Sequence, residues 1–185
     1  MPHPDRVSVS TESPINIPIR LIILISIFLS KGRTPTGVAP AYELPLYNLV
    51  MVTMNAIYQG EKHVHLTHGP SRSVLETDAP KDNNGRGESF SPTDLVASGL
   101  AACAMTVMAI RAEKLGIELK GMSASVNKEM AENPRRIARL PLTIQMPAGL
   151  TTTPAIREEL ESVGRGCPVA QSLSPAIEVP MTFVW

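Results

Sequence analysis

Two cysteines, Cys103 and Cys167, are the side chains in this 185-residue sequence with the most chemistry to offer. A thiol attacks an electrophile only as its thiolate, so each must be judged by what could stabilise the anion. Cys103 stands among Ala101, Ala102, Ala104 and Met105, an apolar setting that disfavours a thiolate and calls for a cation brought from elsewhere. Cys167 directly precedes Pro168, a residue suited to a first helical position, so free amides and the helix dipole favour its anion. Local sequence alone therefore picks Cys167 as the more acidic thiol. The bland alternative is a pair of ordinary core cysteines, since free Cys is among the most buried residue types. With 64 positions between them and no CxxC, any joint role must come from long-range geometry.

Other reactive residue types are sparse. His63 and His65 fall on one face of a strand and His68 on the other, with no third ligand at a recognisable spacing, so they read as strand histidines rather than a metal site. Seventeen basic and seventeen acidic residues leave no net field to gather phosphates, and Arg135, Arg136 and Arg139 form too small a cluster for a nucleic-acid surface. Two cysteines are also too few for a disulfide-stapled scaffold.

The elements that must position these residues follow from pattern. Residues 50–57 and 61–68 read as strands joined at Gln59-Gly60, with a third strand over 73–77 and a polar, glycine-rich loop over 80–88. Ser91-Pro92-Thr93-Asp94 opens a helix expected to reach Leu115 and stop at Gly116. Residues 95–110 carry no charge, which predicts a helix buried on every face, with Met105 and Met108 as core packing. Its uncharged run is shorter than a usual membrane span and rich in Ala and Gly, so no membrane is expected as a partner. Alternation over 122–127 and 140–146 predicts a second hairpin across Asn133-Pro134, with Pro141 at an edge or bulge. A helix from Thr153-Pro154 through Glu161, broken at Gly164 and Gly166, a further turn from Cys167-Pro168 and a strand over 177–185 complete the order βββ-α-ββ-αα-β. Trp185 is expected against a sheet face.

Seven of the 17 prolines lie in the first 50 residues, so 1–50 reads as a poorly structured extension and 51–185 as the functional domain. Met51 or Met54 is a candidate translation start. The apolar run 21–29 is far shorter than the ~20 residues of a membrane span, and Lys31 and Arg33 follow it where a signal peptide places small residues. A cytoplasmic location is the expectation. A domain of 135 residues has little material to enclose an apolar helix on all sides, which points to an intimate homodimer.

The stretch Ser91-Pro92-Thr93-Asp94-Leu95-Val96-Ala97-Ser98-Gly99-Leu100-Ala101-Ala102-Cys103, with the later Cys167-Pro168-Val169-Ala170, resembles the osmotically inducible protein C and organic hydroperoxide resistance family (OsmC/Ohr). The likeness covers residues 51–185. It implies an α+β fold with long central helices wrapped by antiparallel sheets in an intertwined homodimer, with sites at the subunit interface. It also implies a thiol-dependent peroxidase that needs no cofactor. Cys103 would attack an organic hydroperoxide, Cys167 would resolve the product as a disulfide, and a dithiol such as dihydrolipoamide or a lipoylated protein would regenerate the pair.

Family peroxidases pair an arginine with a glutamate ten residues before the reactive cysteine, and here that position is Thr93. Arg86 and Glu88 are the loop residues that could supply the cation and its carboxylate anchor, with Arg72 as a second cation. The departure leaves an alternative from another class, a non-catalytic binding module or redox sensor that keeps the fold and an apolar interfacial pocket.

Overall fold

The computed structural model describes residues 51–185, and the expected extension over 1–50 lies outside the described residues. Strands β1 (Met54–Gly60), β2 (His63–His68) and β3 (Val74–Asp78) form an antiparallel sheet in that order. The first turn departs from the sequence reading. Gly60, at φ 93°, ends β1 where the register slips between Tyr58 and Gly60, while Glu61 and Lys62, both at positive φ, make the turn itself. The glycine serves a bulge, and the chain reverses one step later. A single 3-10 turn, Lys81–Asn83, is the regular element of the following loop.

Helix α1 spans Pro92–Lys114. Asp94 N–H donates to Ser91 Oγ at 3.2 Å and Ser91 N–H donates to Asp94 Oδ2 at 2.7 Å, so the expected cap closes in both directions. At the other end Leu115 caps the helix and Gly116 turns left-handed at φ 71°. Within one chain the helix is buried along Ala97, Leu100, Ala104, Met108 and Ala112. Val96, Ala102, Thr106, Ala109 and Ile110 stay exposed, so the expectation of burial on every face is not met within one chain: its layers cover a single side. By length and composition alone α1 is apolar enough to cross a membrane, at a mean hydropathy of 1.7, as a core helix with this composition also would be.

Strands β4 (Ser123–Val126), β5 (Glu129–Glu132), β6 (Arg135–Arg139) and β7 (Leu142–Gln145) make the second hairpin longer than expected. β4 pairs with β7 and β5 with β6. Pro141 has no amide hydrogen to give the ladder, and the hairpin divides there. Helix α2 (Pro154–Arg165) runs through Gly164 instead of breaking at it. A Cβ at Gly164 would come within 2.8 Å of Met108 Sδ, so this glycine permits close approach to α1. A short helix α3 (Pro168–Ser172) leads to β8 (Met181–Val184), which joins β7 in parallel to give the sheet order β4-β7-β8. Leu100, Ala104 and Met108 of α1 meet Leu142, Ile144, Leu160 and Met181 in the core. Trp185 packs against the core and is also tied to α2: its Nε1 donates to Glu161 Oε1 at 2.8 Å and Arg157 stacks over its ring. The indole N–H needs an acceptor, and the helix surface supplies one.

Candidate functional site

Packing of α3 against α1 brings the two cysteines together. Both are free thiols; Cys103 is half-buried on α1, and Cys167 is buried as the N-cap of α3. Cys167 Sγ accepts a hydrogen bond from Ala170 N–H at 3.4 Å, the helix-start stabilisation expected from Cys167-Pro168. It does not decide the outcome. Burial pushes the Cys167 thiol above its ordinary pKa, the Ala170 amide only opposes this, and the neighbouring Cys103 thiol raises it further. At Cys167 desolvation, which sequence does not display, therefore outweighs the helix-start effect that sequence does display.

The start of α1 holds a second constellation. Lys128, from the link between β4 and β5, donates through Nζ to Asp94 Oδ1 at 2.5 Å, Thr93 Oγ1 at 2.9 Å and Ser91 Oγ at 3.2 Å. A cation is poorly placed at the positive end of a helix, so Asp94 is what holds it there. Burial alone would raise the Asp94 pKa, but the hydrogen bonds from Lys128 and Ser91 outweigh it and hold the carboxylate below its usual range. Sequence reading missed Lys128 because it lies 34 residues from Asp94. An unpaired lysine two residues after an alternating strand was the only signal available.

Neither Arg86 nor Glu88 is hydrogen-bonded to a cysteine. Arg86 is anchored by Glu61, to which both Nε and Nη2 donate, and not by Glu88. Glu88 instead donates its backbone N–H to Asp78 Oδ2 at 3.1 Å, and Ser89 N–H does the same at 3.0 Å. Arg72, at φ 59°, makes no side-chain hydrogen bond to the described residues.

His63 and His65 do share a face, opposite Asp78 and Glu76 of β3. His63 Nδ1 lies 2.6 Å from Asp78 Oδ1 and His65 Nδ1 lies 2.6 Å from Glu76 Oε1. The His63 bond, joined by the Glu88 and Ser89 amides and opposed by burial, lowers the Asp78 pKa. No three or more His, Cys, Asp or Glu side chains among the described residues are arranged to hold a metal ion. A cavity of about 360 Å³ lies beside the start of α1, bounded by the β1–β2 turn, the loop and the β5–β6 hairpin.

The OsmC-like protein family profile matches residues 85–182. No curated protein matches the sequence. Among solved structures, a protein of Psychrobacter arcticus described as an osmotic stress induced and detoxification response protein is 36% identical, with a TM-score of 0.69, over 75% of this chain and 99% of that one. An organic hydroperoxide resistance protein, OsmC, of Legionella pneumophila is 20% identical, with a TM-score of 0.58, over 74% and 98% of the two chains. An organic hydroperoxide resistance protein of Elizabethkingia anophelis, also 20% identical with a TM-score of 0.58, aligns over 75% and 99%. The two more distant likenesses speak to the fold alone, but the profile match and the 36% relative carry the assignment, and this chain belongs to the OsmC-like family.

Proposed function

We propose that the protein is a thiol-dependent peroxidase that reduces organic hydroperoxides to alcohols and works as a homodimer. The observation that carries this reading is the packing of α3 on α1, which sets Cys103 close enough to Cys167 to raise its pKa although the two stand 64 positions apart in sequence. Family membership and the hydroperoxide-resistance names of structural relatives support it. The Cys103 thiolate attacks the outer peroxide oxygen, the O–O bond breaks, and the alkoxide leaves and takes up a proton as the alcohol. The sulfur, oxidised by two electrons, is then a sulfenic acid. Cys167 condenses with it, releasing water and forming a disulfide, and a dithiol of the dihydrolipoamide class reduces that bond by exchange.

The exposed uncharged face of α1 supports the dimer, because a second copy would bury Val96, Ala102 and Ile110. The dimer would also complete the site with a cation from the partner. Arg86 with Glu61 and Lys128 with Asp94 are candidate cation–carboxylate pairs for that role. Purified protein is given cumene hydroperoxide and a dihydrolipoamide recycling system. Turnover is expected, with Cys103→Ser inactive and Cys167→Ser limited to one oxidation without efficient recycling. Absence of turnover in the wild type would favour a non-catalytic binding module or redox sensor, a reading motivated by Thr93 standing where the family peroxidases carry glutamate.

A further inference from the structure

The cavity beside the start of α1 is walled by Val64, Pro92 and Met130 and edged by three cations, Lys62, Arg135 and Arg136. They do not come from one run of sequence: Lys62 belongs to the β1–β2 turn and the two arginines to β6. What holds each cation decides the sign of the site. Arg135 is paired with a carboxylate, Asp82 Oδ2, at 3.0 Å. Lys62 Nζ donates to the Asn84 carbonyl oxygen at 2.6 Å, and Arg136 Nη1 donates to the carbonyl oxygens of Ile137 at 3.1 Å and Ala176 at 3.4 Å. Carbonyl oxygens are neutral, so those two positive charges are oriented without being cancelled.

The one acidic side chain in the wall is Asp78, whose oxygens are already hydrogen-bonded and whose single charge offsets at most one of the two free cations. Oδ1 meets His63, and Oδ2 accepts from the amides of Glu88 and Ser89. A rim with net positive charge over apolar walls complements an anion with a hydrocarbon body. A cavity of about 360 Å³ is within the size range of small-molecule sites. A planar guanidinium accepts a carboxylate through two parallel hydrogen bonds, which favours a carboxylate head.

We infer that this cavity binds an aliphatic carboxylate, its head on Arg136 and Lys62 and its chain along Val64, Pro92 and Met130. The inference goes beyond the peroxidase reading and stands without it, since binding requires neither thiol. It gives part of the basic cluster at 135–139 a use. Arg139 is excluded from that use because Glu129 and Glu178 already pair it.

Calorimetric titration of the full chain with sodium octanoate and with octan-1-ol tests it. Octanoate should bind at least tenfold more tightly than the alcohol. Arg136→Gln and Lys62→Gln should each weaken octanoate about tenfold and leave the alcohol unchanged, Arg136→Lys should fall between, and Arg139→Gln should bind as the wild type does. Equal affinity for octanoate and octan-1-ol, no octanoate binding at millimolar concentration, or equal losses in Arg139→Gln and Arg136→Gln would each overturn the inference. The first two outcomes are read on the wild type and need no variant to fold. A failure here leaves peroxide turnover untouched, so it is distinguishable from failure of the peroxidase reading.

Discussion

In the sheet of β4, β7 and β8, Leu142, Ile144 and Met181 point into the core; in the sheet of β1, β2 and β3, the fully buried residues are polar, Thr77 and Asp78. Met54, Ile57, Tyr58, Val74 and Leu75 of that first sheet lie exposed. Full burial of an aliphatic side chain stabilises by about 1.5–3 kcal/mol, so one sheet is held by apolar packing within the chain while the other draws little from it. The first sheet is instead tied by polar links, His63 to Asp78 and Asp78 to the loop amides. The difference teaches that the cysteine pair sits on the self-sufficient part of the fold, and that the first sheet and the bare face of α1 present the surfaces a second copy would cover.

Paired truncations should expose this contrast most strongly. Leu142→Ala removes a buried side chain and is expected to cost about 2–5 kcal/mol in urea unfolding. Ile57→Ala, measured at a protein concentration low enough to keep the chain monomeric, should cost under about 0.5 kcal/mol, in the range of surface substitutions. Comparable losses would erase the distinction between the sheets.

A smaller effect separates the single chain from the pair. Light scattering of the wild type at tens of micromolar should give twice the chain mass, and Ala102→Glu, which sets a charge on the exposed face of α1, should return it to one chain mass. Under dimeric conditions the Ile57→Ala cost should rise to about 1 kcal/mol as the side chain gains a cover. A wild type that stays monomeric would remove the proposed cover altogether.

The smallest effect is local and depends on pH. Because the folded-state pKa of Asp78 is lowered from its ordinary 3.8, its contribution is fully present above that value and is lost as pH falls through the lower folded value. Amide exchange at Glu88 and Ser89, corrected for intrinsic rates, should accelerate in that acid window before β4, β7 and β8 open. Asp78→Asn should show the acceleration already at neutral pH. Synchronous opening of both sheets would mean that the polar links do not govern the first one separately.

Much of this arrangement could be read from sequence where the signal is local. Ser91-Pro92 with Asp94 marks the start of α1 through capping chemistry, and Leu115-Gly116 marks its end. The βββ-α order and the Cys167 helix start were legible for the same reason. Local pattern misleads where a distant contact decides. Gly60 looked like a turn residue, but β-sheet register made it a bulge. Gly164 looked like a break, but Met108 made it a contact point. Burial of Cys167, the reach of Lys128 to Asp94 and the pairing of Arg86 with Glu61 all join residues at least 25 positions apart or depend on enclosure, and no local pattern encodes them.

Cys167 Sγ caps a five-residue helix by accepting the Ala170 amide, and Cys103 lies near enough to raise its pKa. A covalent bond to Cys103 would reorient that atom and compete with its hold on the amide. Fraying of α3 would then report the oxidation state of the pair, so a single backbone resonance at Ala170 becomes a gauge of the redox cycle without any label on the thiols.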